Sequence, residues 1–277
     1  MRKSKYLIIN SFYFDFNDDL SEIITVKELF KKQNILDLER FNKLISIKEN
    51  QFEFYNLNFL YLPKNIEIMG KYVFLNNQIQ LLDLSNCINL KNIERYAFKE
   101  NQIKQLKLPQ NIEIIRNVFA YNKIKLLDLS NYTKLKAIEF RSFEYNQIKQ
   151  LKLPQNIETI DAYAFKNNQI ESLDLSNCIN LNIISQCAFE YNQIKQLKLP
   201  KNIKEIYSEA FCSNKINVLD LSKYYELKFI GGDAFLDNPL NEIKILDDIY
   251  IYYHNKSNIW NTFTKYYNDN NKKAGDY

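Results

Sequence analysis

Apolar residues return along this chain in a fixed phrase. The string IKQLKLPQNIE begins at Ile103 and at Ile148 and returns as IKQLKLPKNIK at Ile194, while LLDLSN or SLDLSN surrounds Leu82, Leu127 and Leu173. Two unit types therefore alternate. Their first positions are Gln33, Leu57, Ile79, Ile103, Ile124, Ile148, Ile170, Ile194, Ile216 and Leu240, separated by steps of 24 and of 21 or 22 residues. Nine complete units and a truncated tenth result. No single unit can bury Leu106, Leu108, Ile112, Ile115 and Phe119 by itself, whereas stacked copies join them into one core. The alternation at each LxL predicts a short strand, and neighbouring copies would pair in parallel at roughly 4.8 Å per rung.

Within a unit Ile103, Leu106, Leu108 and Asn111 spell LxxLxLxxN, and Ile79, Leu82, Leu84 and Cys87 spell it with Cys last. The second half adds Ile, Ala-Phe and then Asn, as in Ile160, Ala164, Phe165 and Asn168. These motifs resemble the BspA-like branch of the leucine-rich repeats over about residues 33 to 245. The chain departs from that branch by having Asn where Cys or Gly often stands, and by its 24/22 alternation. The resemblance implies a leucine-rich-repeat solenoid of the α/β superhelix class. Its expected form is a curved parallel β-sheet of about ten short strands, with an irregular or short-turn convex side and little long helix.

Two columns stand out inside that pattern. Phe52, Phe74, Phe98, Phe119, Phe143, Phe165, Phe189, Phe211 and Phe235 share one position and should form an aromatic spine. Asn77, Asn101, Asn122, Asn146, Asn168, Asn192, Asn214 and Asn238 precede each new strand, where an amide can satisfy buried backbone groups. The same structural role is expected of Asn65, Asn111, Asn156 and Asn202. With only four Gly and five Pro, turns must rely on Asn and Asp.

Three domains are expected. Residues 1–32 form an N-terminal cap with a degenerate repeat (Phe14, Phe16, Leu20 and Ile23), residues 33–253 the array, and residues 254–277 a capping helix and polar tail. The helix rests on the spacing of Ile259, Trp260, Phe263 and Tyr266 or Tyr267.

Catalytic chemistry finds little support. The lone His254 lies in the degenerate end without a Ser or Cys partner. Four cysteines show no CxxC and no neighbouring His, which removes zinc and redox motifs. Cys87 and Cys178 are expected as buried free thiols; a bridge between Cys187 and Cys212 stays open. No phosphate-binding glycine motif occurs, so no cofactor is expected, and carboxylates repeated in every second unit read as architecture rather than as an active site.

The residues flanking each strand leucine should point outward, onto the concave face. The central column runs Asp37, Tyr61, Asp83, Lys107, Asp128, Lys152, Asp174, Lys198, Asp220, Lys244, so each Lys lies between two Asp and lateral ion pairs can form. Beside it run Phe59, Leu81, Gln105, Leu126, Gln150, Gln196 and Val218. A self-neutralising column is a poor track for phosphates, and a partly apolar one suits a protein partner. Net charge is +4 from 37 bases and 33 acids, which excludes a general polyanion binder. A rim of Lys104, Lys125, Lys149 and Lys195 leaves sequence-independent nucleic-acid binding as the alternative. The tyrosines Tyr72, Tyr96 and Tyr163, and Tyr121, Tyr145 and Tyr191, form two further columns that suit either an interface or packing between rungs. The expectation is a non-catalytic, soluble, intracellular interaction scaffold in a reducing compartment, without signal peptide, metal or membrane span.

Overall fold

The computed structural model describes residues 5–9, 12–16, 30–32, 34–39, 41–90, 92–245 and 250–252. They fall into two compact units, Met1–Lys125 and Leu126–Tyr277. Each is a parallel-strand solenoid, together about nine turns, with no helix among the described residues. The capping helix expected near the C-terminus, His254 and the polar tail lie outside the described residues.

Every turn contributes two short strands. In the first unit the leucine strands Ile35–Asp37 and Phe59–Tyr61 pair in parallel, Leu36 opposite Leu60, as do Leu81–Asp83 and Gln105–Lys107. A second ladder runs through Leu44–Ile47, Ile68–Met69 and Asn92–Ile93. In the second unit the leucine strands couple as Leu126–Asp128 with Gln150–Lys152, Ser172–Asp174 with Gln196–Lys198, and Val218–Asp220 with Glu242–Lys244. Its further ladder joins Ile183–Ile184, Glu205–Ile206, Phe229–Gly231 and Tyr250–Tyr252.

The leucine strands thus pair two by two, always across the 24-residue step. One residue past each LxL the two unit types differ. The long units place Glu39, Ser85, Ser130, Ser176 or Ser222 there, and its N–H folds back on the preceding Asp, as Ser176 N does on Asp174 Oδ1 at 3.0 Å. Short units place Pro63, Pro109, Pro154 or Pro200, which has no N–H. Ladder donors therefore run out at the same point, and in the short unit Leu199 N goes instead to the Tyr224 hydroxyl.

At the N-terminal end the backbone runs antiparallel. Lys5–Ile9 and Phe12–Phe16 form a hairpin, Phe12–Phe16 pairs antiparallel with Leu44–Ile47, and Phe30–Lys32 pairs antiparallel with Ile35–Asp37. Both ladders of the first rung thereby gain a partner strand.

The phenylalanine side holds the rungs together. All nine spine phenylalanines are fully buried. Within the first unit Phe52, Phe74, Phe98 and Phe119 stack at 5.2 to 6.0 Å with rings 7 to 19° from parallel. In the second, Phe143, Phe165, Phe189, Phe211 and Phe235 stack at 5.3 to 5.6 Å, 3 to 13° from parallel. Their backbone also pairs from rung to rung, as in Phe165 N to Ala188 O and Phe189 N to Ala210 O, both 2.9 Å.

The asparagine beside each Phe closes the corner. Asn192 Oδ1 accepts from Ile170 N at 3.0 Å, while its Nδ2 donates to Phe165 O at 2.9 Å, Phe189 O at 3.1 Å and Glu190 O at 3.4 Å. Asn77, Asn101, Asn122, Asn168, Asn214 and Asn238 repeat this set. One amide therefore ties each rung to the one before. The other asparagine column differs from expectation: Asn156 and Asn202 make exposed bonds, each donating once to a carbonyl of the preceding unit, Thr133 O at 3.0 Å and Ile179 O at 2.8 Å. Those carbonyls lie at the rim, where water can replace the amide.

Turn chemistry also departs from expectation. Residues two before and two after each spine Phe take left-handed backbone, Asp233 excepted, and they include Tyr72, Tyr96, Tyr121, Tyr145, Tyr163 and Tyr191 as well as Asn76, Asn117, Asn167 and Asp237. A left-handed L-residue costs on the order of 1 to 2 kcal/mol. The paired left-handed residues bracket a segment whose carbonyls, those of Phe and the residue after it, meet the buried amide, and those bonds offset the strain.

Asn192→Ala should leave one buried N–H and two or three carbonyls unpaired and lower stability by about 3 kcal/mol or more, against under about 1 kcal/mol for Asn156→Ala. Phe189→Ala should cost about 3 to 5 kcal/mol through the cavity it leaves. Urea denaturation of the three variants checks both, and equal midpoints for Asn192→Ala and Asn156→Ala would overturn the assignment.

Candidate interaction surface

Leucine strands bury their central residue, or half-bury it at Leu106 and Leu197, and present both neighbours to solvent. In the first unit this exposes Phe59, Tyr61, Leu81, Asp83, Gln105 and Lys107. In the second it exposes Leu126, Asp128, Gln150, Lys152, Asp174, Gln196, Lys198, Val218 and Asp220. Asp37 is the exception: it is buried, 6% exposed, and its Oδ1 accepts from Glu39 N at 3.0 Å.

The exposed aspartates each carry two partners. Oδ1 of Asp83, Asp128, Asp174 and Asp220 accepts both the N–H and the hydroxyl of the Ser two residues on, the hydroxyl at 2.5 to 2.6 Å. Oδ2 faces the lysine of the next rung: Lys107 to Asp83 at 2.8 Å, Lys152 to Asp128 at 3.3 Å, and Lys198 to Asp174 at 2.8 Å. The expected ladder, with each Lys between two Asp, resolves into couples within three of the strand pairs. Lys244 turns to Glu242 at 2.8 Å. The cap by Ser was legible as the recurring Asp-Leu-Ser, but its consequence, fixing the carboxylate for Lys, required the register.

The hydrogen bonds from Lys198 and then Ser176 hold the Asp174 carboxyl down at about 2. Ser130 chiefly lowers Asp128, and Ser222 chiefly lowers Asp220. At Asp83 partial burial pushes upward and is outweighed by bonds from Lys107 and Ser85. In the second unit Asp128, Asp174 and Asp220 balance Lys152, Lys198 and Lys244, so the central column carries no net charge.

Large apolar side chains are exposed on the leucine strands of both units. Phe59, Tyr61 and Leu81 are each 45 to 46% exposed, with Phe59 and Leu81 in one column on consecutive rungs. The second unit offers Leu126 at 64% and Val218 at 47%. Ile88, Ile179 and Tyr225, exposed by 54 to 72%, were missed by sequence reasoning because they sit in the turn after the Cys position, which the repeat leaves free. The lysine rim is interrupted: in the second unit its column reads Lys149, Glu171, Lys195, Asn217, Asn241. Lys104 in the first unit bonds Gln80 Oε1 at 3.0 Å.

The tyrosine columns make contacts between rungs, although Tyr121, Tyr145 and Tyr191 stay 40 to 50% exposed. Tyr72 stacks on Tyr96 at 5.0 Å, Lys99 lies over Tyr96 and Tyr121, and Lys166 lies over Tyr163 and Tyr191. All four cysteines are buried free thiols, which closes the question of a Cys187–Cys212 bridge.

Stacked LxxLxLxx(N/C) rungs with parallel leucine strands define a leucine-rich-repeat solenoid. This chain belongs to the BspA type leucine-rich-repeat family, whose repeat region matches residues 22–146 and 136–258 in six copies. It is similar to a leucine-rich-repeat protein of Leptospira interrogans, 16% identical over 71% of this chain and 68% of that one, TM-score 0.37. A leucine-rich-repeat protein from Bacteroides ovatus is 12% identical over 76% of this chain and 66% of its own, TM-score 0.38. A leucine rich cell surface protein from Faecalibacterium prausnitzii is 15% identical over 75% and 66%, TM-score 0.31. The chain spans about two thirds of the length of each. No curated protein matches it.

Asp174 should titrate near 2, so its ionised form contributes stability above the ordinary carboxylate range that is lost as pH falls through about 2. Lys198→Met should move that midpoint up toward the ordinary aspartate value. Carboxyl carbon NMR titration reads both; an unshifted midpoint in the variant would show that Ser176 alone sets it.

Proposed function

We propose that this protein is a non-catalytic interaction scaffold that recognises a protein partner through the outer face of its leucine strands. The carrying observation is the set Phe59, Tyr61 and Leu81: three large apolar side chains nearly half exposed on neighbouring rungs, where a soluble surface gains nothing from them. Beside them the Asp–Lys couples give the partner fixed charges of both signs, which favours register and specificity over bulk attraction. Membership of a repeat family whose members present extended surfaces supports the same reading.

Nucleic acid is the weaker reading. Phosphate tracking needs uncompensated Lys and Arg, whereas here the strand lysines are coupled to aspartates and Glu171 interrupts the rim. Among the described residues no helix is long and apolar enough to cross a membrane. The buried free thiols fit a reducing, intracellular compartment. Residues 1–32 act in this reading as the cap of the array, and residues 33–253 as the array itself.

Affinity purification with mass spectrometry from the native cell compares wild type with the triple variant Tyr61→Ala, Leu81→Ser, Leu126→Ser. All three side chains are exposed, so the melting midpoint should hold while the specific partner falls about tenfold or more. Identical partner lists would refute the surface. RNA retained at low salt and released by Lys104→Gln with Lys195→Gln would favour the alternative.

A further inference from the structure

A site needs one constellation rather than many copies, so the place to seek it is where the repeat fails. In the second unit the positions two before and one after each spine Phe read Arg141 and Glu144, Tyr163 and Lys166, Cys187 and Glu190, Glu209 and Cys212, Asp233 and Leu236. Stacking brings three of these together. Cys187 Sγ lies 3.6 Å from Glu209 Oε2, and one donor atom each of Cys187, Glu190 and Glu209 lies within 4.8 Å of the others. Cys187 and Glu190 are buried and Glu209 is half-buried.

Two features of this cluster ask for a cation. The Glu190 side chain is 5% exposed, and its Oε2 is paired with the Lys166 ammonium at 2.5 Å. Lys166 is meanwhile held over the rings of Tyr163 and Tyr191 at 5.2 and 5.5 Å. One ammonium then faces two carboxylates, an imbalance that a desolvated site tolerates poorly.

We propose that Cys187, Glu190 and Glu209 form a binding site for a divalent metal ion of the zinc class. A tetrahedral zinc with Zn–S near 2.3 Å and Zn–O near 2.0 Å separates its S and O ligands by about 3.5 Å. The Cys187–Glu209 distance of 3.6 Å meets that value. All three donor atoms lie within 4.8 Å of one another. One thiolate with carboxylates selects a borderline ion over magnesium or calcium, which take all-oxygen sites. Binding exchanges the thiol proton for the metal and releases it to water; the dication, one thiolate, two carboxylates and Lys166 then sum to zero charge. Burial, with the neighbouring Glu190 and Glu209, pushes the Cys187 thiol above its ordinary range. Three protein ligands leave a fourth position for water.

Titration of the reduced full-length protein with Co(II) should give a thiolate-to-metal absorption band saturating at one ion per chain, and Zn(II) should abolish it by displacement. Cys187→Ser should lose the band. Glu209→Gln, half-buried and therefore tolerant of substitution, should weaken binding about tenfold or more, and Cys178→Ser should leave it unchanged. Absence of the band from the wild type, or its survival at unchanged affinity in Cys187→Ser or Glu209→Gln, would overturn the site.

Discussion

The buried amide beside each phenylalanine is the interaction on which the rest depends. A solenoid corner exposes backbone donors and acceptors to its own core, and a group left unpaired there costs about 1 to 3 kcal/mol. Asn is the one short side chain that offers a carbonyl and two N–H donors at once. Asn192 uses both, taking the N–H that opens its own unit and giving to carbonyls of two successive phenylalanines. Asp would bring a charge and no donors, and Gln a longer reach that the close rung spacing does not allow. With the corner pinned, the phenylalanines have one geometry available, and their rings stack nearly parallel from rung to rung.

That geometry explains a backbone which a glycine-poor chain would be expected to avoid. Left-handed residues bracket every spine Phe but Phe235, and Tyr, Arg, Cys and Glu occupy such positions as well as Asn. The local preference of each residue is overridden because the neighbouring rung supplies a partner for every group the twist reveals. Strain is spread thinly over many turns and is offset by the amide column and the aromatic stack. Side chains at these bracketing positions stand side by side along the solenoid, which is how a lysine comes to lie between two tyrosines and how Cys187 comes to lie beside Glu209.

The leucine-strand side follows a different logic. There the core asks only for the central leucine, and the flanking residues are free to vary. The Asp-Leu-Ser turn fixes one carboxylate oxygen and leaves the other aimed at the next lysine, so charge is organised within strand pairs rather than along an unbroken ladder. Proline in the short units and the folded-back Ser or Glu39 in the long ones end the ladder at the same residue. The result is a surface of discrete neutral couples interrupted by apolar side chains, suited to a shaped protein partner.

The sequence by itself determined the repeat, its two unit lengths, the phenylalanine and asparagine columns and the outward residues of each strand. All of these are set by periodicity, and a residue that recurs at a fixed step must meet its own copies when the steps stack. Periodicity also ranked the two asparagine columns alike, because it records position and not depth; only the folded chain buried Asn168 and left Asn156 at the rim. The pairing of strands by twos, the tyrosines in left-handed backbone and the burial of Asp37 were likewise decided by contacts between rungs. The same holds for Cys187, Glu190 and Glu209. They stand at positions where the repeat is broken, three and nineteen residues apart, and no local spacing marks them as neighbours. Tertiary structure brought them together because a full turn of the solenoid, about 22 residues here, returns the chain to the place where it began.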